Sequence, residues 1–199
     1  MRLRILDHSH RLRARILLRV IRLTNRTEPD PVAKVSLYRP ELFGRAFMHL
    51  IEQVMRGPSD WSAGERELFA VFVSRLNSCR FCVGIHTDVA GLHVDPGLVA
   101  RIDQWRVADF EPRIAATFAL VEAANVTPDA VGPEDIARCR AAGVSDTAIA
   151  DALYVAFVFN TINRLANALD FAWETDADRI KLAHGLNRIA YHVPRFLLR

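Results

Sequence analysis

The sequence predicts an all-α fold, and three features of the chain support this. Alanine, leucine and valine dominate the apolar residues, which make up 51% of the 199 positions, and this composition favours helices. Apolar residues recur with the helical period of three to four in long segments. The nine glycines and nine prolines lie mainly between those segments, where helices end and begin. No segment has the alternating pattern of a strand, and the length suits one domain with an appended arm.

The first predicted helix belongs to an N-terminal arm. Residues 10–24 place apolar side chains among arginines in a helical pattern, which predicts an amphipathic basic helix. The segment TNRTEPDP at 24–31 is rich in helix breakers and predicts a linker. The chain therefore divides into a basic amphipathic arm with its linker, residues 1–30, and a helical domain, residues 31–199.

Proline and capping residues define the next two helices. Pro40 opens a helix that extends to about Arg56, because proline suits the first turn of a helix. Ser62 and Glu65 have the spacing of a capping box, in which each side chain bonds the backbone of the other. This box starts a helix over residues 63–76.

The later helices carry similar signals. Three begin at a proline, namely Pro96, Pro112 and Pro133. Gly143 suits the left-handed residue that ends a helix, and Ser145 caps the long apolar helix that follows it. The predicted spans are 79–93, 96–104, 112–126, 133–142, 145–173 and 176–192.

The composition excludes several classes of protein. No run of eighteen apolar residues occurs, so no transmembrane helix is expected. Arginine interrupts the first thirty residues every few positions, which is not the pattern of a secretory signal. Three cysteines do not make the framework of a secreted disulfide-rich protein. A reducing cytoplasm is the expected compartment.

Positive charge is concentrated in the arm. The net charge of the chain is only +3, yet residues 1–27 contain eight arginines and a single acid, Asp7. Such an arm could bind anionic lipid or nucleic acid, or it could dock its apolar stripe on the core or a neighbouring subunit. It has few aromatic residues for stacking or interfacial anchoring. Docking on protein is therefore the favoured interpretation, with no nucleic acid and with membrane contact as the minor alternative.

The stretch ELFAVFVSRLNSCRFCVGIH at 67–86 indicates chemistry. Cys79, Cys82 and His86 are spaced i, i+3 and i+7, so they lie on one face of a helix. Two thiols that can close on each other beside a titratable imidazole form a redox or nucleophilic site. A helix that begins at the cysteines would also favour a thiolate there.

Glu67 joins this site only if the chain reverses direction. It lies twelve residues before Cys79, which is about 18 Å along one continuous helix. Asn77-Ser78 is the expected break, because both residue types bond their own backbone in turns. Glu67 would then orient His86 or hold a water that relays protons. A zinc half-site and inert packing remain alternatives, although zinc needs a fourth ligand that the sequence does not place nearby.

The pattern Glu67-x11-Cys79-x-x-Cys82-x-x-x-His86 resembles that of the alkylhydroperoxidase AhpD-like family, within the carboxymuconolactone decarboxylase-like superfamily. Two longer segments, WSAGERELFAVFVSRLNSCRFCVGIH and AAGVSDTAIADALYVAFVFNTINRLANALDF, resemble the peroxidase-related branch of that family. One departure concerns the proton relay. The best-studied branch has a histidine between the two cysteines, where this chain has Arg80-Phe81.

The resemblance implies an AhpD-like helical bundle, with the basic helix added, that acts as a thiol-dependent peroxidase on alkyl hydroperoxides. Cys82 would attack the peroxide, Cys79 would resolve the product, and His86 and Glu67 would assist, without a cofactor or metal. An external dithiol, lipoylated or thioredoxin-like, would regenerate the pair, and relatives suggest a homo-oligomer. The alternatives are a carboxymuconolactone decarboxylase-type enzyme and a non-catalytic redox-sensing protein.

Other residues receive weaker interpretations. By the same resemblance, Asn163 and Arg164 line the pocket or a subunit contact. Tyr154 and Trp173 are expected in the core. Cys139 has no histidine or acid at ligand spacing and is expected to take no part in the chemistry.

Overall fold

The computed structural model describes residues 1–194, and its helices confirm the all-α class. Residues 195–199 of the predicted helical domain lie outside the described residues. The α-helices are α1 (Ile5–His8), α2 (Leu12–Asn25), α3 (Pro31–Tyr38), α4 (Arg45–Arg56), α5 (Ala63–Leu76), α6 (Arg80–Ala90), α7 (Pro96–Ala100), α8 (Pro112–Val126), α9 (Pro133–Ala141), α10 (Asp146–Leu169) and α11 (Asp176–Ile189). A π-helical turn at Pro40–Gly44 leads into α4, and 3₁₀ turns lie at Ile102–Gln104 and Pro128–Ala130.

Most predicted helix boundaries agree with the structure, and the exceptions have local causes. The capping box of Ser62 and Glu65 is present at the start of α5. Helix α3 was not predicted, although the side chain of Asp30 caps it by accepting the Ala33 N–H at 2.9 Å. Helix α10 ends four residues earlier than predicted, because Asp170 adopts a left-handed conformation with φ of 57°.

The core is built around α5, which is buried on nearly every side. It packs against α6, α8 and α10. Phe69 of α5 contacts the edge of Trp61 with ring centroids 4.9 Å apart, and Phe118 of α8 from the other side at 5.9 Å. A helix that is apolar around its whole circumference belongs in the centre of a bundle. Glu67 is a fully buried carboxylate in this central helix and therefore needs an explanation.

The prediction that Tyr154 lies in the core is wrong. Its side chain is 57% exposed on the outer face of α10, whose opposite face buries Val155 and Phe159. Trp173 is half-buried and packs against Phe81 with ring centroids 5.4 Å apart. Aromatic character alone did not separate the two faces of a long helix that is rich in apolar residues.

Helix α11 lies against α6 and covers the cysteine region from outside. Gly84 permits this approach, because a Cβ at that position would overlap the side chain of Arg179 in α11 and the ring of Trp173 before it. Arg179 of α11 donates to the carbonyl of Gly84 at 3.2 Å and forms an ion pair with Asp88. These contacts set the position of the chain that follows α11.

Within residues 1–194, no single helix has both the length and the apolar character needed to cross a bilayer. Helices α9 and α10 meet the criterion only as a pair, and they bend by 117° at the break between them.

Candidate active site

The reversal between α5 and α6 occurs at the predicted residues. Ser78 adopts a left-handed conformation with φ of 52°, and Asn77 ends α5. The side chain of Asn77 donates to the Asn163 Oδ1 atom at 3.0 Å, and the Cys79 N–H donates to the Ser74 carbonyl at 2.9 Å. The turn is therefore held from both sides, and it brings Cys79 back beside α5.

The two cysteines lie at the start of α6 as adjacent free thiols. Cys79 is the N-cap residue of α6, and its sulfur accepts the Cys82 N–H at 3.4 Å. The two Sγ atoms are 2.7 Å apart, and the residues are 0% and 3% exposed. A pair this close can form a disulfide after a small movement of either side chain.

The thiol pair has an unequal affinity for protons. The hydrogen bond between the sulfurs is the main cause: it lowers the pKa of Cys79 and, together with burial, raises the pKa of Cys82. The backbone N–H groups of Phe81 and Cys82 lower the pKa of Cys79 further, as does the side chain of Asn163. When the pair holds one proton, Cys82 keeps it and Cys79 is the thiolate, as expected for a helix N-terminus.

Glu67 lies at the centre of a buried polar cluster, and every bond to it comes from a different element. His86 of α6 bonds its Oε2 atom through Nδ1 at 2.8 Å. Arg56, the last residue of α4, donates to Oε1 through Nη2 at 2.6 Å. Tyr191, just after α11, donates its hydroxyl to the same oxygen at 2.7 Å. The buried carboxylate therefore has both oxygens satisfied.

These partners decide the ionisation of Glu67. Burial by itself would raise the pKa of the carboxyl, but the bond and charge of His86 and the charge of Arg56 outweigh burial and lower the pKa. An ionised carboxylate only accepts hydrogen bonds, so the Nδ1 atom of His86 must carry a proton. The Nε2 atom of a neutral His86 is then free to accept a proton from another group.

Sequence reasoning missed Tyr191 and Arg56, which complete the cluster. Tyr191 is fully buried and follows α11 with φ of 62°, after Ala190 with φ of 49°. Two successive left-handed residues other than glycine are strained, and such strain is often found at functional sites. This turn directs the Tyr191 ring inward, where Arg56 lies over it at 4.7 Å from the centroid.

Tyr191 acts as a hydrogen-bond donor throughout the ordinary pH range. Burial and the charge of Glu67 raise its pKa well above the ordinary value, so the hydroxyl stays protonated. Its oxygen also lies 3.3 Å from the His86 Nδ1 atom, and the two rings are stacked. The only signal in the sequence was indirect: a carboxylate in the central helix requires partners from elsewhere in the chain.

A cavity of about 1030 Å³ reaches this site from the outside. Cys82, His86 and Tyr191 lie in its wall, together with Phe81 and Ile85. Cys79 does not line it and lies behind Cys82. A molecule in the cavity therefore meets Cys82 and His86 first.

The other residues singled out in the sequence are dispersed. Asn163 is buried beside the thiols and donates to the Ser74 hydroxyl at 3.2 Å, whereas Arg164 is exposed and bonds the Asn160 side chain at 2.7 Å. Cys139 is buried in α9, with the carbonyl of Ala116 as its hydrogen-bond partner at 3.5 Å. Among residues 1–194, no three His, Cys, Asp or Glu side chains are grouped so that they could hold a metal ion.

Comparison with known proteins relates part of the chain to a known family. The sequence model of the carboxymuconolactone decarboxylase family matches residues 41–123, which include Glu67, Cys79, Cys82 and His86. The structure of an uncharacterized peroxidase-related protein from Silicibacter sp. TM1040 is 25% identical, with a TM-score of 0.71 over 81% of this chain and 85% of that chain. The chain is thus similar to the carboxymuconolactone decarboxylase family over residues 41–123, and its fold is AhpD-like.

More distant structures share the AhpD-like fold. An AhpD-core, peroxidase-related protein from Ralstonia eutropha JMP134 is 20% identical, with a TM-score of 0.73 over 87% of this chain and 91% of that chain. The debrominase Bmp8, in a cysteine-to-alanine variant bound to 2,3,4-tribromopyrrole, is 16% identical, with a TM-score of 0.67 over 87% and 91%. No curated protein matches the chain. Tyr191 lies outside the part of the chain that the family model matches.

Proposed function

We propose that this AhpD-like protein is a thiol-dependent peroxidase that reduces alkyl hydroperoxides through Cys79 and Cys82. The observation that carries the proposal is the pair of adjacent free thiols, one of which lines a cavity beside His86. A dithiol can take up the oxidising equivalents of one peroxide as a disulfide. The thiols and the polar cluster supply both a nucleophile and a base.

In the first step, Cys82 attacks the peroxide. Cys82 holds the proton of the resting pair, so it attacks only after the Nε2 atom of His86 has taken that proton, and the resulting imidazolium is stabilised by the Glu67 carboxylate. The Cys82 sulfur then bonds to the terminal peroxide oxygen, the O–O bond breaks, and the leaving alkoxide takes the proton from His86. The products are an alcohol and a sulfenic acid on Cys82.

In the second step, Cys79 resolves the sulfenic acid. Its lowered pKa makes the attacking thiolate available, and its sulfur is already 2.7 Å from that of Cys82. A sulfur–sulfur bond forms and hydroxide leaves, taking up a proton to become water. One hydroperoxide and two thiols thus give one alcohol, one water and one disulfide.

The cycle requires an outside reductant. We include in the proposal an external dithiol, lipoylated or thioredoxin-like, that reduces the Cys79–Cys82 disulfide by exchange. A cytoplasmic location and a homo-oligomeric assembly belong to the same proposal. The reducing environment would keep the resting thiols free.

A thiol titration tests the proposal directly. Free thiols are counted before and after one equivalent of cumene hydroperoxide, and peptide mapping by mass spectrometry then locates any disulfide. We expect the loss of two thiols, a Cys79–Cys82 disulfide that dithiothreitol reverses, and repeated turnover with dihydrolipoamide. Thiols that stay reduced would refute the peroxidase.

The same preparation separates the alternatives. A redox sensor would show stoichiometric oxidation without turnover by any dithiol. A carboxymuconolactone decarboxylase-type enzyme would keep its activity after both cysteines are alkylated. Either result would replace the proposed function.

A further inference from the structure

Helix α2 has two apolar faces, and only one of them is covered. On the inner face, Ala14 packs with Leu37 of α3, and Leu17 and Leu18 lie against them. Leu17 and Ile21 also line the cavity that reaches Cys82. The arm therefore docks on the rest of the protein through these residues, as its apolar pattern predicts.

The outer face of α2 carries a continuous stripe of exposed aliphatic side chains. Leu12, Ile16, Val20 and Leu23 are 69%, 55%, 48% and 77% exposed. Their spacing of four, four and three residues keeps them within about 80° around a helix, over a length of about 17 Å. Four large apolar side chains in one exposed row on a single helix indicate an interaction surface.

Arginines border this stripe on both sides. Arg13 lies at one edge, and Arg15, Arg19 and Arg22 lie at the other, as the helical period requires. Arg22 forms an ion pair with Glu28 at 2.9 Å. Among residues 1–194, the other three arginines form no ion pair, so their charges are available to an external partner.

We propose that the outer face of α2, defined by the stripe and its bordering arginines, binds the surface of an anionic phospholipid bilayer. In this arrangement the helix lies in the plane of the interface. The aliphatic stripe enters the acyl boundary, and the arginines reach the lipid phosphates. The opposite face remains on the protein and continues to line the cavity.

Charge decides between this partner and two others. Pairing of the stripe with that of a second copy of the chain would bring arginine rows of the same sign together. Nucleic acid would engage the arginines but would leave the aliphatic row in water. An anionic bilayer satisfies both features at once. The proposal does not depend on the peroxidase function.

Vesicle co-sedimentation of the full chain tests the proposal. The vesicles are of phosphatidylcholine alone or of phosphatidylcholine with phosphatidylglycerol. We expect binding to the anionic vesicles that weakens as salt is raised. Leu12→Glu combined with Leu23→Glu should lower the partition coefficient by about tenfold or more, because two aliphatic side chains that would enter the bilayer become charged.

The matched control carries the same charge change elsewhere. Val107→Glu combined with Val126→Glu alters two aliphatic side chains that are 84% and 62% exposed outside the arm. This variant should bind vesicles as the wild type does. A second variant, Arg15→Gln combined with Arg19→Gln, should weaken binding and reduce its salt dependence.

Three results would overturn the proposal. The first is an absence of wild-type binding to anionic vesicles, and the second is equal loss in the stripe variant and its control. The third is a wild-type protein that binds no vesicles and whose molar mass, measured by light scattering, differs from that of the stripe variant. That last result would assign the stripe to contact between copies of the chain. Because all substituted side chains are exposed, circular dichroism should show unchanged helix content.

Discussion

The two halves of the candidate site are built in different ways. The thiol half, Cys79 and Cys82, lies at the N-terminus of α6 and depends on the hydrogen bond between the two sulfurs and on the N–H groups of that helix end. The carboxylate half consists of Glu67 with His86, Arg56 and Tyr191, from four separate parts of the chain. The thiol half is local in sequence, whereas the carboxylate half exists only in the folded protein.

This difference separates chemistry from support. We infer that the thiols are the reacting atoms and that the carboxylate half positions and polarises His86 beside them. Loss of a thiol should therefore remove activity without unfolding the protein. Loss of a carboxylate partner should lower stability and shift the pH dependence.

The largest effect is expected at the thiols. Cys82→Ser and Cys79→Ser should each lower peroxide turnover by about 10³-fold or more, because either change removes the dithiol cycle. Turnover is measured with cumene hydroperoxide and dihydrolipoamide. Cys139→Ser, the same change at the cysteine in α9, should retain activity. Full activity in either of the first two variants would exclude the mechanism.

The next effect is expected at the buried carboxylate. Glu67→Gln leaves Arg56 without its anionic partner in the core and should lower the free energy of unfolding by about 3 kcal/mol. Urea denaturation followed by circular dichroism measures this loss. Glu65→Gln, two residues away, should have almost no effect, because glutamine also completes a capping box. Equal stability of the two variants would show that the cluster does not support the fold.

A smaller effect is expected at Tyr191. Tyr191→Phe keeps the ring over which Arg56 lies but removes one hydrogen bond to Glu67, so it should cost about 1 kcal/mol of unfolding free energy. The matched control is Tyr154→Phe, because the Tyr154 side chain is 57% exposed. Tyr191→Phe should also shift the acid limb of the pH–rate profile to a different pH. A loss of stability alone would not move that limb.

The subtlest effect is expected in the pH dependence of stability. The partners of Glu67 lower its pKa below the ordinary value of 4.5, so the unfolded chain binds more protons than the folded protein in this range. Stability from this group is thus fully present above the ordinary value and is lost as the pH falls through the lowered pKa. In a plot of the free energy of unfolding against pH, Glu67→Gln should reduce the slope on the acid side, whereas Glu65→Gln should keep the wild-type slope. A wild-type slope in Glu67→Gln would contradict the assignment.

Much of the fold was predictable because its signals are local. The capping box at Ser62 and the break at Asn77-Ser78 each depend on hydrogen bonds between residues close in sequence. The sequence did not predict α3. The predicted span of α10 was too long, because apolar residues continue past Leu169 while the backbone turns at Asp170. Tyr154 was misplaced because the apolar surface of α10 extends around more than one face.

The sequence by itself determined the all-α class and the approach of the two thiols, since both follow from the period and capping of single helices. Only the tertiary structure decided what surrounds Glu67. Tyr191 is 124 residues away from it and Arg56 belongs to another helix, so no periodic pattern links them. The tertiary structure likewise divided the apolar residues of α2 into a covered and an exposed face. The physical reason is common to both cases: burial and partner charges depend on which helices pack together, which a local pattern does not contain.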